Sequence, residues 1–125
     1  MISKTFPNGR QNTYQYDNLN RLIRINYPNG DYDLFEYDSL GNLTQAIGPD
    51  SGIIYTYDIL SRVTSAEQIY INRTDLIEYQ YDIEGLRQMM KYNQKIWTYS
   101  YDKNHRTRYI TNPEGLTEEI KYASC

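Results

Sequence analysis

Five Tyr-Asp pairs recur at nearly even intervals along this chain: Tyr16-Asp17, Tyr37-Asp38, Tyr57-Asp58, Tyr81-Asp82 and Tyr101-Asp102. The steps between them are 21, 20, 24 and 20 residues. Tyr122 opens a sixth unit 21 residues after Tyr101, with Ala123 in place of the Asp. One unit of this length cannot bury an apolar face alone, so the units must lie against one another as an array.

Each unit reads as a hairpin. Tyr14-Gln15-Tyr16 alternates aromatic and polar, as a half-buried strand does. Asp17-Asn18-Leu19-Asn20 reads as a turn, because Asp hydrogen-bonds the backbone that follows it and Asn or Gly tolerates a left-handed conformation. The fourth turn positions are Asn20, Gly41, Ser61, Gly85 and His105, which fits a type I turn closed by a left-handed bulge residue. A second strand, Arg21 to Tyr27, ends at Pro28-Asn29-Gly30. There Pro presets φ and Gly takes the strained position. The same turn chemistry recurs at Pro7-Asn8-Gly9, Pro49-Asp50-Ser51-Gly52 and Pro113-Glu114-Gly115. The unit of 24 residues lacks Pro-x-Gly, and a longer hairpin with its tip near Asn72-Arg73-Thr74-Asp75 is expected there.

The arm lengths differ only by even numbers. Gly9–Tyr16, Gly30–Tyr37 and Gly115–Tyr122 are each 7 residues apart, and Gly52–Tyr57 is 5. Side chains alternate faces with period two, so even changes keep every Tyr on its own face of a continuous sheet. That face carries Tyr14, Tyr16, Phe35, Tyr37, Tyr55, Tyr57, Tyr79, Tyr81, Trp97, Tyr99 and Tyr101. The residue eight past each Asp is apolar (Ile25, Ala46, Ala66, Met90, Ile110), and these should neighbour the aromatics across the sheet. The expected fold is all-β: an antiparallel meander of ten to twelve strands in a single array spanning 1–125. Its units run 14–30, 35–52, 55–75, 79–95 and 99–115, with a partial unit at 116–125.

With 15 Tyr and a mean hydropathy of -0.79, the chain covers a sheet with amphipathic rings instead of filling an aliphatic core. The Tyr-x-Tyr rings are expected to be its most buried side chains. A single layer with that face in water cannot hold itself together. It must curl on itself, pair face to face or dock on more repeats. The first strand (near Ser3–Phe6 or Asn12–Tyr16) and the last (near Leu116–Tyr122) would leave unpaired edges, through which the isolated chain should associate.

Little in the sequence carries chemistry. The net charge of -3 comes from well-mixed residues, and no basic block tracks a nucleic acid. No apolar run reaches the ~18–20 residues that span a bilayer. Met1 to Arg10 contains no apolar core of a secretory signal. The single Cys125 provides neither a disulfide framework nor a multi-Cys metal site. His105 sits at a turn position, and one His leaves no material for a zinc site or a Ser-His-Asp triad. No cofactor or metal is expected. The repeated Asp residues are read as turn caps, with Arg21, Arg62 and Arg106 four residues on to pair with them, in preference to calcium ligands. Asn42-Leu43-Thr44 and Asn72-Arg73-Thr74 match the glycosylation sequon, the first inside a repeat motif.

Tyr14-Gln15-Tyr16-Asp17-Asn18-Leu19-Asn20-Arg21-Leu22 with Pro28-Asn29-Gly30 resembles the Rhs/YD-repeat pattern. Phe35-Glu36-Tyr37-Asp38-Ser39-Leu40-Gly41-Asn42-Leu43-Thr44 is similar to its Gly-Asn-Leu-Thr variant. The resemblance covers essentially the whole chain, departing at Leu86-Arg87 (inverted order) and Arg106-Thr107. The repeat motif comprises Tyr14, Tyr16, Asp17, Arg21, Tyr37, Asp38, Gly41, Tyr55, Tyr57, Asp58, Arg62, Tyr79, Tyr81, Asp82, Gly85, Tyr99, Tyr101, Asp102 and Arg106. The resemblance implies a curled sheet forming part of a hollow β-shell, in secreted or cell-surface proteins, that encloses a toxin cargo or serves as an adhesion scaffold. Its implied partners are further YD repeats, a toxin cargo, or carbohydrate bound on the Tyr-rich face. Asn112-Pro113-Glu114-Gly115-Leu116 also resembles an Asp-Pro-x-Gly-Leu element of the self-cleaving core that follows such repeats. It falls where the array needs its turn and is read as one. A non-catalytic wall segment is the favoured reading, and a binding module the alternative.

Overall fold

The computed structural model describes residues 2–5, as backbone, and 11–123 with side chains. The described residues form twelve antiparallel strands in one sheet, ordered as in the sequence. They are β1 (Ile2–Thr5), β2 (Gln11–Tyr16), β3 (Leu22–Asn26), β4 (Tyr32–Tyr37), β5 (Leu43–Ile47), β6 (Ser51–Tyr57), β7 (Val63–Tyr70), β8 (Thr74–Tyr81), β9 (Arg87–Tyr92), β10 (Lys95–Tyr101), β11 (Thr107–Thr111) and β12 (Thr117–Glu119). Among the described strands, only those adjacent in sequence touch. The sheet is one open layer, and β12 pairs only with β11. Among the described residues no helix is long and apolar enough to cross a membrane.

The five Asp turns lie where the sequence put them. The left-handed residues are Asn20, Gly41, Ser61, Gly85 and His105, with φ of 60, 89, 61, 87 and 61°. Each turn adds one residue to the returning strand, so the ladder slips between Gln15 and Tyr16, Glu36 and Tyr37, Thr56 and Tyr57, Gln80 and Tyr81, and Ser100 and Tyr101. Tyr14 faces Ile25, Phe35 faces Ala46, Tyr55 faces Ala66, Tyr79 faces Met90 and Tyr99 faces Ile110. The aromatic face is therefore continuous. The opposite face is mostly polar, with hydroxyl contacts such as Thr56–Ser65 at 2.7 Å and an ion pair, Lys91–Glu78, at 3.0 Å.

The turns at the other end of the hairpins are more varied than expected. Gly30 and Gly115 take the left-handed position, at φ 94 and 85°, and Asn112-Pro113-Glu114-Gly115 is a turn. Gly52 does not take that role. A two-residue connection, Pro49-Asp50, closes between the Gly48 N–H and the Ser51 carbonyl, and Gly52 already lies in β6. A Cβ there would sit 2.5 Å from Ile47 Cδ1, so Gly52 makes room for the side chain opposite it. The long hairpin turns at Ile71-Asn72, and Thr74 and Asp75 are already strand residues. Between β9 and β10 the turn is Asn93-Gln94, both left-handed at φ 44 and 74°, the geometry of a type I′ hairpin. Pro7-Asn8-Gly9 and Phe6 lie outside the described residues.

Burial corrects a further expectation. Among the described residues no apolar side chain is buried, and the Tyr-x-Tyr rings are half-buried at best, with Tyr16 41% exposed. A lone layer covers a ring only from the side, by its neighbours in the row. The most exposed aliphatics sit in the turns, Ile83 and Ile59 above all.

Candidate functional site: the seams between units

Two strands of one unit are joined by an Asp turn, and the next unit must then be held against the second of them. Each Asp rigidifies its turn. Asp17 Oδ1 accepts the Leu19 and Arg21 N–H at 2.9 and 3.0 Å, and Oδ2 accepts Arg21 Nε at 2.7 Å. Asp58 with Leu60 and Arg62, and Asp102 with Asn104 and Arg106, repeat this arrangement. Asp38 uses Asn42 Nδ2 in place of the guanidinium, at 3.0 Å. Asp82 keeps only the backbone donors of Glu84 and Leu86. The carboxyls of Asp17, Asp58 and Asp102 are held below the ordinary carboxylate range, first by the backbone N–H of the Arg four residues on. For Asp38 the first cause is the Asn42 amide.

The bulge leaves a backbone carbonyl without a strand partner at the start of each returning strand. The β3–β4 ladder begins at Arg24, the β5–β6 ladder at Gln45, the β7–β8 ladder at Ser65, the β9–β10 ladder at Met89 and the β11–β12 ladder at Tyr109. Two residues before each start, a carbonyl faces the next unit outside the ladder. Left unpaired it would cost free energy. In every case the second Tyr of the next unit supplies the donor. The Tyr37 hydroxyl donates to the Leu22 carbonyl at 2.8 Å, Tyr57 to Leu43 at 2.6 Å, Tyr81 to Val63 at 2.6 Å, Tyr101 to Arg87, and Tyr122 to Thr107 at 2.7 Å.

The arginines complete three of these seams. Arg21 lies over the Tyr37 ring at 4.7 Å, Arg62 over Tyr81 at 4.6 Å and Arg106 over Tyr122 at 4.4 Å. One guanidinium thus joins the Asp of its own turn to the ring of the next unit. Asn42 instead reaches Ser61 Oγ at 2.9 Å in the next turn. At the fourth seam the inverted Leu86-Arg87 puts Arg87 over Tyr79 of its own hairpin, at 4.2 Å. His105, a turn residue as expected, stands 3.3 Å from Glu84 of the neighbouring turn.

Sequence reasoning placed the Asp–Arg pairs but missed the hydroxyl ladder. A signal for it was present: the first position of Tyr-x-Tyr admits Phe35, and the second is Tyr in every unit. Tyr122, outside the motif residues singled out above, performs the same task without a following Asp. A separate hollow of about 240 Å³ opens on the aromatic face beside Asp33, Phe35, Ala46, Gly48 and Gln68. There the Tyr27 hydroxyl donates to Asp33 Oδ2 at 2.5 Å, and that bond, with burial behind it, pushes the Tyr27 pKa up to about 12.

The RHS repeat family model matches residues 1–32, the stretch holding the first Tyr-Asp unit and its Pro-x-Gly turn. The later Tyr-Asp units reproduce its bulge and its capping Asp. The stretch 1–32 is thus matched as an RHS repeat, and the later Tyr-Asp units repeat its sequence pattern. No curated protein matches the chain. Among solved structures, a mutant Tc holotoxin pore of Photorhabdus luminescens is similar over 82% of this chain, at 14% identity and a TM-score of 0.46. This chain spans 7% of that one.

Proposed function

We propose that this chain is a non-catalytic wall segment of a larger Rhs/YD-repeat shell, of the kind that encloses a toxin cargo or presents a surface scaffold. The observation that carries the reading is the seam. Each unit offers a carbonyl on one side and a tyrosine hydroxyl on the other, so units add end to end without limit, and β12 still has an open edge. The motif residues Tyr16, Asp17 and Arg21 and their counterparts serve that concatenation, and further repeats are the natural neighbours of the edge. Carbohydrate stacking is less well supported. The rings of Tyr37, Tyr79 and Tyr81 already carry a guanidinium, which leaves fewer ring faces for a sugar.

A tandem fusion of two copies tests the wall reading. In a repeat wall, stability and the denaturant slope both rise with the number of coupled units. A fusion that unfolds at the same midpoint and slope as one copy would mark a self-contained module instead. Glycan binding by the single copy would then favour the alternative.

A further inference from the structure

A sheet with one apolar face folds stably only when a second layer covers that face. Here the described residues leave the aromatic face of all units uncovered, and no apolar side chain reaches full burial. The accessible surface is 9159 Å², whereas a compact chain of 14.9 kDa exposes about 7,000 Å². The excess is about 2,100 Å² per chain, so two chains together have about 4,200 Å² to hide. That is within the roughly 2,000–5,000 Å² of obligate homodimers.

We propose that the aromatic face is a dimerisation surface whose occupant is the same face of a second copy, the two sheets packing as a sandwich about 10 Å apart. The middle of the face suits this. The side chains of Phe35, Ala46 and Ile53 in one row and of Tyr79, Met90 and Trp97 in another are apolar or aromatic, and small Ala46 and Ala66 beside large rings give the surface relief that interdigitating layers need. Charged residues of this face flank those rows: Asp75 follows Ile53 and Gln68 in the first, and the Arg87 guanidinium lies over Tyr79 in the second. Asp33 is bonded to Tyr27 and Asp75 pairs with Arg73 at 3.4 Å, while Lys95 begins β10 and Glu118 lies on the edge strand β12. A two-fold pairing of this face with itself leaves Asp33 and Asp75 with these partners and Arg87 against the Tyr79 ring. The pairing is independent of the wall reading, because it uses the face and leaves the β12 edge open.

Trp97, the only Trp, stands on this face and reports on it. Sedimentation equilibrium across the micromolar range, with acrylamide quenching of Trp97 at the same concentrations, is the test. The expected result is a dimer in which Trp97 is blue-shifted and shielded, becoming quenchable as dilution releases monomer. Met90→Lys should weaken the dimer by about tenfold or more, whereas Thr98→Lys, on the opposite face of β10, should not. The quenching of the unaltered chain decides the matter even if Met90→Lys fails to fold. A monomer throughout, or an assembly in which Trp97 stays as quenchable as in the dilute chain, overturns the proposal. The second of these results would place association at the strand edges.

Discussion

The first and fourth seams do the same job with different parts. At the first, Arg21 holds Asp17 and covers the Tyr37 ring, while Tyr37 bonds the Leu22 carbonyl. At the fourth, Leu86 stands where the Arg would be, Arg87 leans back over Tyr79, and Tyr101 bonds the Arg87 carbonyl with no guanidinium over its ring. The strand register is the same at both, with Arg24 opposite Leu34 and Met89 opposite Thr98. The tyrosine–carbonyl bond is therefore the constant element of the array, and the Asp–Arg–ring bridge is a reinforcement that a unit can lose. An exposed or half-exposed bridge of this kind is screened by water and contributes little, so its loss at one seam is tolerable.

Removing the ring should have the largest effect. Tyr37→Ala and Tyr101→Ala should each destabilise by about 2 kcal/mol in urea unfolding, less than the roughly 3–5 kcal/mol of a fully buried aromatic, with Tyr37 the costlier. Equal losses would mean that the guanidinium over Tyr37 contributes nothing. Next, Tyr37→Phe and Tyr101→Phe should cost alike, about 1 kcal/mol each, because each leaves the corresponding carbonyl, of Leu22 or of Arg87, unpaired. A smaller gain should follow from restoring the repeat order at the fourth seam. Leu86→Arg combined with Arg87→Leu should place a guanidinium over Tyr101 and raise stability by about 0.5 kcal/mol. A loss there would show that Arg87 matters more over Tyr79.

The strands, the five Asp turns and the partners of each aromatic were legible because they depend on period and turn chemistry alone. Ile25 opposite Tyr14 follows from counting. Burial was not legible, because it depends on a second layer that no spacing encodes. The position of Gly52 was misread because Pro-x-x-Gly resembles a turn, whereas the close approach of Ile47 is a tertiary fact. Asn93-Gln94 escaped notice because its left-handed second residue is Gln where Gly is usual. The hydroxyl ladder lay hidden for another reason: apolar patterning treats Tyr and Phe as equivalent rings.

The turns also set an acid limit. A depressed carboxyl pKa in the folded state gives stability that is complete above the ordinary carboxylate value of about 4 and is lost as pH falls through the folded value. Asp17, Asp38, Asp58 and Asp102 all act in this sense. The melting temperature should fall below about pH 4, and Asp17→Asn should flatten that slope slightly. Tyr27 acts at the other end. Its raised pKa gives stability that is present below about pH 10 and lost as pH rises toward its folded value of about 12.

Hydroxyl proton exchange observed by NMR tests the seam most directly. If each unit is joined to the last through its second tyrosine, the hydroxyl protons of Tyr37, Tyr57, Tyr81, Tyr101 and Tyr122 should exchange slowly with water. Each should show a contact to the strand that carries its carbonyl acceptor. Those of Tyr55, Tyr79 and Tyr99, first in their pairs, should exchange fast. Equal exchange in the two sets would contradict the account and leave the units joined by strand pairing alone.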